Sequence, residues 1–151
     1  MSCLLVQGCS KRKKESSEPV SALDLYDGYY YRIIKKAIRN GELRDDIDIC
    51  VLSAKYGIVD EEEEVEYYNR KMTEERADDL REEAITQLVR RVEDGEYDRV
   101  IVNLGRTYER VVKGFEDQIR TPVTFISGGL GERGHVLKRF IRTDKTIEIT
   151  H

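Results

Sequence analysis

Short apolar runs alternate with longer amphipathic stretches along this chain. The first run, 3–6, ends at Gly8, and similar runs cover 47–53, 99–104 and 123–127. Each is short and rich in β-branched residues, as the buried strands of a parallel sheet are. The pattern predicts four parallel strands, and the alternation across 146–150 indicates a further edge strand.

The stretches between these runs have helical periodicity. Apolar residues recur at three- and four-residue spacing from Tyr29 to Ile38, and again between Thr73 and Gly95. Shorter helices are predicted around 108–112 and 136–141. Strands that alternate with helices imply right-handed crossovers. We therefore expect an α/β fold, in which one three-layer domain spans 1–151 and a mainly parallel sheet of four or five strands carries helices on both faces.

The fold class indicates where a ligand would bind. In an open α/β sheet, ligands bind outside the carboxyl ends of the strands. This rule selects the loops 8–19, 53–72, 105–108 and 127–134 before any motif is considered. The basic cluster 11–14 and the acidic run 60–64 both fall in these loops, so we expect them at the same end of the sheet.

Composition excludes several classes of protein. The 151 residues carry 26 lysines and arginines against 30 acidic residues, a net charge of −4. Broad nonspecific duplex binding, which requires a basic face, is therefore not expected. The apolar runs are far shorter than the roughly 20 residues of a membrane span, and a lysine cluster follows the first run where a secretory signal would continue. We expect a cytoplasmic protein without a membrane partner.

The three cysteines do not form a metal-binding pattern. Cys3, Cys9 and Cys50 lack the short paired spacing of zinc ligands, and the chain has only two histidines. No metal and no cofactor is predicted. Cys3 and Cys50 lie inside apolar runs and are expected to be core thiols, whereas Cys9 follows a predicted strand.

The loop after the first strand combines a thiol with cations. Cys9 is followed by Ser10, Lys11, Arg12 and Lys13. A thiol beside cations is expected to have a lowered pKa and to be a better nucleophile, and backbone amides with lysines also suit a phosphate. The alternative is a solvated basic loop with an incidental cysteine. The Walker pattern is absent, so a nucleoside triphosphatase is not expected.

The loop after the second strand offers donors for a planar polar ligand. Ser53, Lys55 and Tyr56 stand at the strand end, and Gly57 permits a tight turn. Tyr68, further along the same loop, can stack on a base or simply cover the core. The acidic run is expected to be solvated.

The last two loops add glycines and an arginine. Gly105 is followed by Tyr108, and Gly128 and Gly129 stand between the fourth strand and a helix. Glycines there allow close backbone approach to a ligand, although their spacing is not the dinucleotide fingerprint. Arg133 can hold an anion with two hydrogen bonds.

Taken in order, these motifs resemble a known family. C-S-K-x-K begins at Cys9, L-S-A-K-Y-G covers 52–57, and Tyr68 is followed by Met72 at a spacing of four. The series, over about 3–142, resembles a family of small prokaryotic and phage domains of unknown function that is related to the YaaA-like peroxide-stress proteins. The resemblance implies a YaaA-like α/β domain and allows a non-catalytic protein that binds nucleic acid or nucleotides.

Cys9-Ser10 followed by Lys13 is also similar in outline to the core of archaeosine synthase, which modifies 7-deazaguanine in transfer RNA. This likeness implies that the Cys9 thiolate adds to a nitrile carbon and forms a thioimidate. Lys11 or Lys13 would then lower the pKa of the thiol or hold a phosphate, and Arg133 would bind backbone phosphate.

The predicted site follows from these loops and likenesses. The predicted catalytic residues are Cys9, Lys55 and Tyr56. The predicted substrate-binding residues are Ser10, Lys11, Lys13, Ser53, Gly57, Tyr68, Arg70, Gly105, Tyr108, Gly128, Gly129 and Arg133.

The sequence leaves three functions open. The first is an enzyme that modifies a nucleobase, nucleotide or nucleic acid through Cys9. The second is the non-catalytic YaaA-like binding protein. The third is a glycosidic-bond hydrolase or transferase, which would use Asp or Glu in place of the thiol. The expected partner in each case is a nucleobase, nucleotide or nucleic acid, and the oligomeric state stays open.

Overall fold

The computed structural model describes residues 2–10, 13–15 and 17–142. The strands are β1 (Cys3–Gly8), β2 (Val20–Ser21), β3 (Ile47–Ser53), β4 (Gly57–Asp60), β5 (Glu64–Val65), β6 (Arg99–Asn103) and β7 (Val123–Phe125). The α-helices are α1 (Ala22–Leu25), α2 (Tyr29–Arg39), α3 (Glu74–Gly95), α4 (Arg106–Val112) and α5 (Leu130–Ile141). A short 3-10 helix covers Phe115–Gln118.

The main sheet is mostly parallel. Within the described ranges it has five strands in the order β4-β3-β1-β6-β7. β1 lies in the middle and pairs in parallel with β3 and β6, and β7 continues the parallel set beside β6. β4 is antiparallel because it returns from β3 through a tight turn that pairs Ser53 with Gly57. The expected α/β class is confirmed.

Both faces of the sheet are covered. Along β1, Leu4 packs on the face that carries α3 and α4, whereas Leu5 packs on the face that carries α2 and α5. Both side chains are fully buried. Successive residues of a strand point to opposite faces, so an unbroken apolar strand such as β1 requires a helix layer on each side. These layers leave the carboxyl ends of the strands as an edge where loops meet.

The segment 53–72 contains more regular secondary structure than the sequence predicted. It was expected to be a loop, yet it contains β4 and β5, and β5 pairs with β2 in a small antiparallel sheet. A strand as short as Gly57–Asp60 gives too few positions for an alternating pattern to stand out from a loop. The helix α1, with four residues, is likewise too short for a helical period to be recognised in the sequence. The predicted edge strand 146–150 lies outside the described residues.

The path of β4 also moves the acidic run away from Cys9. β4 runs back along β3, so Asp60 lies opposite Cys50, and Glu61 Oε2 accepts a hydrogen bond from the Ile49 amide at 2.9 Å. The Cys9 amide instead donates to the Leu52 carbonyl near the carboxyl end of β3. The acidic run was expected at the carboxyl end of the sheet with the basic cluster, and this placement was wrong, because the turn after Ser53 reverses the chain. Of the basic cluster, the structure describes Lys13 and Lys14.

Candidate functional site

Cys9 lies at the carboxyl edge of the sheet, directly after the central strand. Its amide donates to the Leu52 carbonyl at 2.9 Å, which continues the pairing of β1 with β3 by one residue. Its Sγ atom lies 3.0 Å from the hydroxyl of Tyr108, a half-buried residue of α4. Gly8, just before Cys9, packs closely on Leu104, since a Cβ there would lie 3.2 Å from Leu104 Cδ2 and 3.8 Å from the Tyr108 ring. The thiol is thus fixed from the backbone outward and paired with a phenol.

A cleft of about 270 Å³ opens beside this thiol. It lies at the end of β1 and β6, between the beginnings of α2, α4 and α5. The structure brings together here these predicted site residues: Cys9, Ser10, Gly105, Tyr108 and Arg133. Three consecutive tyrosines of α2 also line it, which are Tyr29, Tyr30 and Tyr31. We call this depression the Cys9 cleft.

A chain of buried amides holds Arg133 in the cleft. Asn103 ends β6 opposite Gln7 of β1, and its Nδ2 donates to Gln7 Oε1 at 2.9 Å. Its Oδ1 accepts from Arg133 Nε at 3.1 Å and from Nη2 at 2.9 Å. Both amide side chains are almost completely buried. The sequence analysis missed them, although an amide in the last two positions of an otherwise apolar strand is a signal that could have found them.

Tyr30 forms a second support for Arg133. The Arg133 guanidinium carbon lies 5.1 Å from the centre of the Tyr30 ring. Burial raises the pKa of Tyr30, and the positive charge of Arg133 partly opposes that rise. The Tyr30 hydroxyl is buried and has no hydrogen-bond partner within the described part of the chain. The arginine therefore lies over an aromatic face and is hydrogen-bonded at its edge.

Ser53 and Tyr68 lie behind Cys9, in a buried network of hydroxyls. The Tyr68 hydroxyl is 3.0 Å from Ser53 Oγ and 2.7 Å from the Tyr26 hydroxyl. Cys9 packs against the same cluster. Burial raises the pKa of both tyrosines, and the nearby Cys9, as a thiolate, raises them further. These phenols stay protonated at neutral pH, so they support the wall of the site as hydrogen-bond donors.

Lys13 places a cation beside Tyr68, in the hydroxyl cluster that Cys9 packs against. Its backbone bridges Tyr26, and its ammonium lies 4.5 Å from the centre of the Tyr68 ring. Burial lowers the pKa of Lys13, while the negative charge of Cys9 acts in the opposite direction. The predicted neighbour Lys11 lies outside the described residues.

Several predicted site residues do not reach the Cys9 cleft. Lys55 is exposed, with its ammonium 5.1 Å from the centre of the Tyr56 ring. The Tyr56 hydroxyl exchanges hydrogen bonds with the backbone of Glu66. Gly57 has φ +77°, and its role is to turn the chain into β4. Arg70 is exposed. Lys55, Tyr56 and Gly57 form the β3–β4 turn.

Gly128 and Gly129 lie just before the cleft. Gly129 is the N-cap of α5, and both glycines are exposed. They do not line the depression, but the helix that they introduce carries Leu130 and Arg133 into it. Their contribution is to direct the chain from β7 into α5.

The described residues contain no cluster of three or more His, Cys, Asp or Glu side chains that could hold a metal ion. Within the same ranges, none of the helices has both the length and the apolar character needed to cross a bilayer.

The fold and the cleft define an α/β protein in which Cys9 lines a cleft at the carboxyl ends of the strands. Residues 4–139 match the model of a family described as "Family of unknown function (DUF6884)". The match covers most of the chain, so the protein belongs to this family. The expectation of a family of unknown function is confirmed, and the links to the YaaA-like proteins and archaeosine synthase stay predictions.

A solved structure shares the fold. AF0587, described as a protein of unknown function, superposes with a TM-score of 0.57 at 17% identity. The likeness covers 94% of this chain and 45% of that chain, so the protein spans less than half the length of AF0587. At this identity the likeness shows the fold alone. No curated protein matches the chain.

Proposed function

We propose that the protein is an enzyme that modifies a nucleobase, free or within a nucleic acid, with Cys9 as the nucleophile. The observation that carries the proposal is the contact of 3.0 Å between Cys9 Sγ and the Tyr108 hydroxyl at the Cys9 cleft. A thiol at a strand end, beside a phenol and a fixed arginine, combines a nucleophile, a proton donor and an anion-binding group.

The size and walls of the Cys9 cleft favour a base-sized ligand. Its volume of about 270 Å³ is just below the roughly 300–1,000 Å³ of pockets for drug-sized molecules. Tyrosine side chains on α2 offer flat apolar surfaces for a planar ring. Arg133 uses Nε and Nη2 to bind Asn103, which leaves the donors of Nη1 for a carbonyl or phosphate oxygen.

The resemblance to archaeosine synthase supports a nitrile-bearing 7-deazaguanine as the substrate class. The thiolate of Cys9 would form an S–C bond to the nitrile carbon, and the nitrile nitrogen would take up a proton to give a thioimidate. Water or an amine would then add to the same carbon, and the S–C bond would break as the thiolate leaves. The net product is an amide from water or an amidine from an amine.

Tyr108 is the residue best placed to assist this addition. Burial raises its pKa, and the negative charge of Cys9 and the hydrogen bond to it raise the pKa further. The phenol therefore stays protonated at neutral pH and can donate to the thiolate or to the nitrile nitrogen. Lys55 and Tyr56, the other predicted catalytic residues, lie too far along the β3–β4 turn to line the cleft, so we assign no step to them.

The two alternative functions make different use of the Cys9 cleft. A glycosidic-bond hydrolase needs carboxyl groups beside the bond that it breaks, and no Asp or Glu is among the described residues that line the cleft. This favours thiol chemistry. A YaaA-like binding protein would use the same tyrosines and Arg133, but it would bind its ligand without a covalent step.

The test is to trap the covalent intermediate. Wild type, Cys9→Ser and the control Cys3→Ala are incubated with nitrile-bearing 7-deazaguanine as base, nucleoside and oligonucleotide, and intact-protein mass is measured. We expect a mass increase equal to the ligand in wild type and in the control, and none in Cys9→Ser. Turnover of any of these ligands that survives in Cys9→Ser would remove the thiol from the chemistry. Binding without adduct or turnover in wild type would favour the non-catalytic protein.

A further inference from the structure

A second depression, of about 530 Å³, lies between α2 and α5. Its described lining contains no carboxylate but includes four cationic side chains, Arg32, Lys36, Lys138 and Arg142. The sequence analysis did not single out any of these residues. We call this depression the α2–α5 groove.

The cations of the α2–α5 groove are only partly neutralised. Arg32 lies 3.8 Å from Asp27, and Arg142 lies 3.3 Å from Glu42. Lys36 and Lys138 are exposed, and among the described residues neither has a carboxylate within salt-bridge distance. In a chain of net charge −4, this groove is a local concentration of positive charge, which suits a polyanion.

Tyr29 joins the groove to the Cys9 cleft. It lines both depressions and is 45% exposed. Its ring rests on Gly134 of α5, where an added Cβ would come within 2.5 Å of the ring. Leu130, which is 62% exposed, also lines the cleft. An aromatic face therefore lies between a group of cations and the half-buried Cys9 thiol.

We propose that the α2–α5 groove binds a single strand of nucleic acid and leads it to the Cys9 cleft. Lys36 and Lys138 contact phosphates, Tyr29 stacks on one base, and the neighbouring base enters the cleft. A positive groove with an aromatic platform is the usual combination for single-strand binding. A base inside a duplex would first have to be flipped out to reach the thiol. This inference rests on the proposed function and specifies its substrate as a base within a strand.

The first test removes the two lysines that lack an ion pair. Binding of fluorescein-labelled single-stranded DNA and RNA of about 12 nucleotides, a length within the usual range of such sites, is measured by anisotropy against KCl concentration. The variant Lys36→Glu/Lys138→Glu is compared with Arg90→Glu/Lys113→Glu. Both control positions are exposed and lie on α3 or just after α4, on the other face of the sheet.

For the groove variant we expect Kd to rise about tenfold or more. The slope of log K against log salt should flatten by about 1.4, because two phosphate contacts on a single strand are lost. The control should match wild type. An equal loss in the control would overturn the proposal, because net charge would then explain the result.

The second test examines stacking. Tyr29→Ala should raise Kd about fivefold or more, whereas Tyr29→Phe should restore wild-type binding, since it keeps the ring. Unchanged binding in Tyr29→Ala would remove the residue from the path of the strand.

Three further outcomes would overturn the proposal. They are absence of oligonucleotide binding in wild type, equal affinity for a duplex of the same sequence, and displacement of the strand by poly-glutamate at equal charge. Failure of the proposed function is seen separately in the mass experiment with the free base. If Cys9 forms the adduct while the groove variant binds and reacts with oligonucleotides as wild type does, the enzyme assignment stands and the groove assignment fails.

Discussion

At the scale of single residues, the three cysteines differ in their surroundings. Cys3 and Cys50 are buried in the core, whereas Cys9 is half-buried at a cleft. Burial raises the pKa of Cys50 to about 12 and also raises that of Cys3. The expectation that these two are core thiols is confirmed, because the apolar runs that contain them are central strands.

This difference predicts selective alkylation. Iodoacetamide at neutral pH should modify Cys9 in the native protein and leave Cys3 and Cys50 unmodified, since both core thiols are inaccessible and protonated. Peptide mass mapping after brief exposure, with urea-unfolded protein as the control, measures the sites. Modification of Cys50 at the same rate as Cys9 would contradict the packing described here.

Arg133 depends on residues that the sequence analysis did not select. The strand-end rule identified Cys9, Tyr108 and Arg133, because each follows the carboxyl end of a strand. It missed Gln7 and Asn103, because they belong to the strands themselves. Within a strand, an amide side chain only interrupts the apolar pattern and does not indicate a site. Their pairing depends on the register of β1 against β6, which only the folded sheet reveals.

Replacement of Asn103 should therefore destabilise the protein. Asn103→Ala removes the partner of Gln7 and two acceptor contacts of Arg133, so we expect the free energy of unfolding to fall by about 1–3 kcal/mol. Urea denaturation measures it. The exposed Asn40→Ala is the matched control and should change stability by less than about 0.5 kcal/mol. Equal effects of the two substitutions would show that the buried amide contributes little.

At the scale of elements, long periodic segments were predictable and short ones were not. α3 begins after Thr73 and ends at Gly95 as predicted, because its apolar stripe persists over 22 residues. α5 begins at Leu130, well before the predicted 136. Gly131 and Gly134 weaken the helical signal of the sequence in the first turns of α5, since glycine is a poor helix former. β4 was not recognised in the sequence because only a tight turn separates it from β3. That turn depends on a single glycine, Gly57.

Gly57 makes that turn possible, and its replacement should be costly. Its φ is +77°, and a Cβ would lie 3.2 Å from Gln87 Oε1 of α3. We expect Gly57→Ala to lower the free energy of unfolding by about 1–2 kcal/mol from the left-handed backbone alone, with a further loss from the contact. Gly41→Ala is the control, because Gly41 has φ +67° but a Cβ added there would have no atom of the described residues within 4 Å. Thermal and urea unfolding should show a smaller loss for Gly41→Ala than for Gly57→Ala.

At the scale of the whole molecule, β4 carries the acidic run away from the carboxyl edge of the sheet. It places the acidic run beside the amino half of β3, while the Cys9 cleft opens at the carboxyl edge. Glu61 lies among other acidic side chains and is about half-buried. Burial raises its pKa above the ordinary value of 4.5, and the hydrogen bond from the Ile49 amide partly opposes that rise. The negative charges of Glu62 and Asp48 add to it. The folded protein therefore holds the Glu61 proton more tightly than the unfolded chain does.

A carboxyl group with a raised folded-state pKa makes stability fall as pH rises through that range. We expect the contribution of Glu61 to stability to be lost as pH rises from about 4.5 towards neutrality. This loss lowers the urea midpoint of the wild type. Glu61→Gln should remove that loss and stabilise the protein at pH 7, because an amide oxygen can still accept from Ile49. Urea titrations across pH measure it. The exposed Glu82→Gln, on α3, is the control, and an equal gain there would assign the effect to net charge.

The central position of β1 has a consequence for hydrogen exchange at the thiol. β1 is bordered by β3 and β6, and the Cys9 amide extends that ladder through its bond to Leu52. Such an amide exchanges with solvent only when the core strands separate, so its protection should approach the free energy of global unfolding. The Cys9 thiol faces a cleft that ligands can enter, yet its backbone belongs to the part of the molecule that opens least often.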